Sequence, residues 1–147
     1  RWLGFHPHDM ILLKLQLGAP VRRFNWTMTV DPLLDTSPEN YPKWGPSKAT
    51  LTPDTVGRRQ HLRVELQSLH RLPRSNAIAF PIRAYLIRFE ELVSVPKWGR
   101  RLHRIIRDIH PDLATYKGFI RNRDMMVDYL AQFDDGQPTS PGWWPED

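Results

Sequence analysis

Apolar and polar residues alternate most clearly in "VRRFNWTMTV". Phe24, Trp26, Met28 and Val30 fall on one side, and Asn25, Thr27 and Thr29 on the other. A period of two among β-formers predicts a strand with one buried face. "AIAFPIRAYLI" repeats the pattern, with Ile78, Phe80, Ile82, Ala84 and Leu86 on an apolar face and Ala77, Ala79, Pro81, Arg83 and Tyr85 on the other. That second face runs from small groups to a cation and a phenol, as in a strand lining a pocket, and an ordinary half-exposed strand shows the same pattern. Pro81 has no N–H to give to a ladder, so this strand is expected at an edge or bulged there.

In "RRQHLRVELQSLHRLP", Leu62, Leu66 and Leu69 recur at helical spacing and Pro73 stops the pattern, which predicts a helix. Its Arg63, Gln67 and Arg71 would form one i, i+4 stripe, with His70 beside it and Glu65 at the margin of the apolar face. "HLRVEL" alone also alternates as a strand does, and only the continuation through Leu69 decides for the helix. "WGRRLHRIIRDIHPDL" sets Leu102, Ile105, Ile106 and Ile109 on one side of a basic amphipathic helix that must end near Pro111. Met125, Met126, Tyr129, Leu130 and Phe133 predict a second, with the Met pair as core filling. From Asp31 to Thr55, Pro32, Pro38, Pro42, Pro46 and Pro53 interrupt every periodicity, which predicts a long excursion or lid pinned by Tyr41 and Trp44. The organisation expected is an irregular or helical segment over 1–20, a folded domain over 21–133 and a flexible tail over 134–147, extended unless Trp143 and Trp144 dock.

A chain of 147 residues has room for one substantial core, and 14 Pro with 8 Gly leave many of its residues to loops. The absence of Cys excludes disulfides, thiolate metal sites, cysteine-ligated iron–sulfur clusters and a cysteine nucleophile. No apolar run approaches the roughly 20 residues that cross a bilayer. The net charge of +5 favours anionic partners, but the Arg pairs at 22–23, 58–59 and 100–101 are dispersed as on a solvated surface. There is no aromatic-basic platform for nucleic acid, no glycine-rich phosphate loop, no Walker lysine motif and no metalloprotease or nucleophile-elbow motif. The His6 to His8 "HPH" could chelate a metal adventitiously, although a surface or capping role suits any single His better.

"LRVELQSLHRLPRSNAIAFPIRAY" resembles the Arg-x-Glu-x-Gln-x-Leu-x-Arg-Leu-Pro signature, followed by a β-run ending in Arg-x-Tyr, of the DUF3445 or HRQ family, whose characterised kind is the haem-dependent oxidative N-demethylase α subunit. "RRFNWTM" resembles the family's Asn-Trp strand and "LATYKGF" its Tyr-Lys-Gly element, so three segments agree in order between Val21 and Phe119. The resemblance implies an α+β fold: a PAS-like antiparallel sheet flanked by helices, enclosing b-type haem. It implies oxidative N-demethylation of small secondary amines with O₂, and electrons from NADPH through flavin and iron–sulfur partner subunits. By the same resemblance Glu65 and Tyr85 are the candidate catalytic residues. Arg63, Arg71 and Arg83 are candidate propionate partners, with Asn25, Trp26 and Lys117 completing the cofactor-binding set. No metal ligand is assigned. The family's upstream Ile-His-x-Pro-Val-Pro motif has no match here, which predicts an incomplete domain. The alternative is a degenerate, non-enzymatic PAS-like sensor or interaction domain. The same residues could instead pair Glu65 with an Arg and Gln67 with backbone, fixing one element to the next. The partners expected are a small amine and reductase subunits, with neither nucleic acid nor membrane, in the cytoplasm.

Overall fold

The computed structural model describes residues 12 and 14–139, so the expectations for His6, His8, Trp143 and Trp144 lie outside the described residues. The chain is an α+β protein with an open antiparallel four-stranded sheet. Its strands are β1 (Val21–Val30), β2 (Gln60–Arg71), β3 (Ile78–Ala79) and β4 (Ile82–Arg88). The helices are α1 (Tyr41–Trp44), α2 (Val56–Arg59), α3 (Phe89–Leu92), α4 (Pro96–Asp108), α5 (Pro111–Tyr116) and α6 (Arg123–Ala131). Among the described residues no helix is long and apolar enough to cross a membrane.

The helix expected over "RRQHLRVELQSLHRLP" is not formed: β2 runs through it, preceded only by the one-turn α2. Two neighbours decide the matter. β1 lies on one side of β2, and β3 and β4 pair with it on the other, so the backbone groups a helix would satisfy internally are satisfied by ladders. The even positions Leu62, Val64 and Leu66 form one face. Leu69, whose spacing suggested the helix, belongs to the other face with His61, Arg63, Glu65, Gln67 and Arg71. Pro81 divides the edge as expected: β3 stops at Ala79, β4 begins at Ile82, and the Pro81 carbonyl accepts from the Ser68 N–H.

The chain divides into two compact units, the first comprising the residues up to Trp26 with Val64–Tyr85, the second Thr27–Arg63 with those from Leu86 onward. In the first, the buried apolar side chains among the described residues are Leu15 and Leu69, and the Gln67 side chain is buried with them. Arg71 closes this unit by donating to the carbonyls of Leu12, Leu15 and Asn76. The apolar face expected on β1 buries Met28 and Val30, whereas Phe24 is 74% exposed, because the burial of the strand increases toward its C-terminal end.

The second unit holds the larger apolar core, in which α4 packs on α6. The buried face of α4 is Gly99, Leu102, His103 and Ile106, spaced i, i+3, i+4, i+7, while Ile105, expected on it, is half exposed. Met126 and Leu130 of α6 are fully buried, as core filling requires, whereas Met125, expected beside Met126 in that role, is half-buried. The proline-rich excursion folds into short helical turns, with Tyr41 and Trp44 packed edge-to-face at 4.8 Å on one another and the Trp44 Nε1 donating to the Ser37 carbonyl. Its ends are clasped by Arg59, which grips the Asp31 carboxylate bidentately (2.9 and 2.8 Å) and reaches Thr50. Arg63 closes it further with bonds to the carbonyls of Leu33 and Leu34.

After α6 the chain is tied back to α4. Asp134 accepts from Arg104 at 2.9 and 2.5 Å and from His103 Nδ1 at 2.8 Å, while Arg100 pairs with Asp135 at 3.0 Å. The Arg104 guanidinium first, and then His103, hold the Asp134 carboxyl far below the ordinary carboxylate range. A carboxyl depressed on folding contributes stability that is complete above its unfolded pKa and lost as pH falls through the folded one. The gap in urea midpoint between the wild type and Asp134→Asn should therefore be constant near neutrality and close as the pH drops below about 4. A gap that stayed constant down to acid unfolding would show that Asp134 is not held in this way.

Candidate functional site

Strand alternation places the odd residues of β1 and β2 on facing rows, and in the first unit these rows form a hydrogen-bonded polar strip. Arg23 Nε donates to Gln67 Oε1 at 2.6 Å, which turns the Gln67 amide nitrogen toward Glu65 Oε2 at 2.8 Å. Asn25 Nδ2 approaches the same Glu65 oxygen at 3.5 Å. The guanidinium thus orients the amide, and the amide orients the carboxylate. Gln67 is only 4% exposed, whereas Arg23, Asn25 and Glu65 are half-buried, so the strip is buried at its centre and open at its margin. Arg23 also lies 5.8 Å from the Phe80 ring centroid, giving the strip an apolar flank.

Of the residues expected at the site, Asn25 and Glu65 are brought together here, with Gln67 and Arg23 completing the group. Trp26 projects from the opposite face of β1. The register pairs Arg71 with Ile78 and Ser68 with Pro81, which sets Arg83 and Tyr85 on the side of Leu66 and Val64, away from Glu65. Arg83 and Tyr85 do meet each other, the guanidinium 5.5 Å from the ring centroid, and both are exposed. In the second unit Arg63 is 93% buried in consequence of its bonds to the excursion, being 7% exposed. Lys117 caps α5, and its carbonyl accepts from Thr27 Oγ1 at 2.8 Å. Gly118 follows at φ +73°, a conformation open to glycine, and its carbonyl accepts from Lys48 Nζ. The "Tyr-Lys-Gly" element and the strand continuing from Asn25-Trp26 are therefore joined by a hydrogen bond.

Propionates require cationic donors directed at open space. Arg63 and Arg71 direct donors to main-chain carbonyls.

The open antiparallel sheet and the helices that follow it define an α+β protein. The chain belongs to the family of haem-dependent oxidative N-demethylase, alpha subunit-like proteins, whose model matches residues 6–127. The match contains β1, β2, the edge strands, α4 and α5, and so all eight residues expected at the site.

Proposed function

We propose that this chain is an N-demethylase α-type subunit that holds a small secondary amine as its ammonium ion at Glu65. The observation that carries the reading is the Glu65 carboxylate fixed by Gln67 and Asn25 on the strip that Arg23 orders. The chain's own part is to bind and orient: Glu65 supplies the countercharge, Gln67 and Asn25 fix its plane, and Phe80 supplies apolar surface. The family's haem, when bound, supplies oxidation of the N-methyl group with O₂. Electrons reach it from NADPH through flavin and iron–sulfur partner proteins, since a chain without Cys holds no cysteine-ligated cluster. A PAS-like ancestry suits the open antiparallel sheet.

The carbonyl-bound guanidiniums of Arg63 and Arg71 favour a second reading, a non-catalytic PAS-like sensor or interaction domain of the same family. Titration of the purified chain with haemin separates the two. The first reading expects a defined Soret band at one equivalent and a shift of that band on adding dimethylammonium. A folded chain, by circular dichroism, that gives no defined band supports the second.

A further inference from the structure

The second unit contains a half-open pocket of about 380 Å³, lined by Pro53, Val56, Met125, Asp128, Tyr129 and Gln132. It lies between α6 and the turn that leads into α2 and shares no residue with the Glu65 strip. Its volume is within the range of small-molecule sites, roughly 300–1,000 Å³. Its floor is apolar: Val56 is fully buried, and half-buried Met125 offers a flexible thioether that adapts to an irregular alkyl group.

The polar groups at its wall have one character. Asp128 presents a carboxylate. The Gln132 amide donates its nitrogen to the Tyr129 carbonyl at 2.9 Å, which leaves its oxygen as the acceptor. Burial first, and the nearby Glu90 carboxylate second, push the Tyr129 phenol above its ordinary range, so the ring stays neutral and keeps its electron-rich face. That ring is fixed by Phe89 and Phe133, whose ring centroids lie 6.2 and 5.5 Å away with their planes tilted by 30° and 54°. Gly57 makes its seat possible, because a Cβ there would stand 2.6 Å from the Tyr129 hydroxyl. A carboxylate, an amide oxygen and an aromatic face above an apolar floor form a cation-selective lining, in a chain whose net charge is +5.

We propose that this pocket is a separate binding site for an organic cation with an apolar flank, an alkylammonium or alkylguanidinium, whose charged head meets Asp128 and Tyr129 and whose alkyl chain covers Val56 and Met125. The inference does not depend on the Glu65 reading, and the test keeps the two apart. The intact chain, methyl-labelled for NMR, is titrated with n-butylammonium and, in parallel, with its uncharged counterpart 1-butanol.

The expected result is a saturable shift of the Val56 and Met125 methyl resonances with n-butylammonium, at least fivefold weaker with 1-butanol. Asp128→Asn should weaken it on the order of tenfold, as loss of a charge-assisted contact requires. Asp128 is exposed and Tyr129→Phe removes only a hydroxyl, so both variants should fold as the wild type does. Tyr129→Phe should retain binding within about threefold, because the ring face is kept. Methyl resonances that do not move, that respond equally to both probes, or that respond equally in Asp128→Asn overturn the proposal. Loss of the shift in Glu65→Gln but not in Asp128→Asn overturns it too, and assigns the cation to the strip.

Discussion

Replacement of Phe89 by Ala lowers the unfolding free energy by about 3–5 kcal/mol, a large fraction of what holds a domain of this size together. Phe89 opens α3 directly after the edge strand and is completely buried. It sits where α3 meets α2, its ring beside Tyr129 of α6, and Tyr129 in turn touches Phe133. Truncation removes the transfer free energy of the ring and leaves a cavity that the surrounding elements close only in part. Phe89→Leu retains most of the volume and should cost about 1.5 kcal/mol or less. Urea unfolding of the variants provides the check, the midpoint falling with an unchanged slope. A loss below about 1 kcal/mol in the alanine variant would show that the core of this unit is not organised around Phe89.

Glu65→Gln weakens binding of dimethylammonium roughly ten- to a hundredfold, the equivalent of about 1.5–3 kcal/mol for one charge-assisted contact. The substitution is selective. Gln keeps a carbonyl oxygen to accept from the Gln67 amide, so the Arg23–Gln67 bond and the pairing of β1 with β2 are retained and stability changes little. What is lost is the countercharge at a half-buried position. Calorimetric titration measures it, with Asp128→Asn as the companion variant. Equal affinity in the wild type and Glu65→Gln would remove Glu65 from amine recognition, whatever the outcome with haem.

The residues that carry the family signature were recognisable before their arrangement was. Arg63, Glu65, Gln67 and Arg71 share a face whether the segment is read as a strand or, apart from Glu65, as a helix, because a spacing of four brings side chains to the same side in both. The segment's own pattern therefore pointed to a cluster while predicting the wrong element. The ladder partners that make it a strand lie in other parts of the chain, at β1 on one side and at β3 and β4 on the other. Asn25 and Glu65 were both named as candidates from the family resemblance. That they meet, and that Arg23 steers Gln67 between them, depends on contacts across 40 and 44 positions that no local pattern records. Arg83 and Tyr85 were grouped with them by the same resemblance, and the register up to Pro81 sets them on the other face.

What the sequence determined by itself is what short-range sterics and periodicity control: the strand over Val21–Val30, the interruption at Pro81, the helices over Pro96–Asp108 and Arg123–Ala131, and the exclusion of cysteine chemistry. Tertiary structure decided the rest. The identity of β2, the burial of Arg63 under the Leu33 and Leu34 carbonyls, the exposure of Ile105, the tie of Asp134 to α4 and the pocket beside Tyr129 each require a partner distant in the chain. A hydrogen bond or a buried contact is stabilising only against the entropy of bringing its two halves together, and that balance is set by the assembled core, beyond the reach of any one segment.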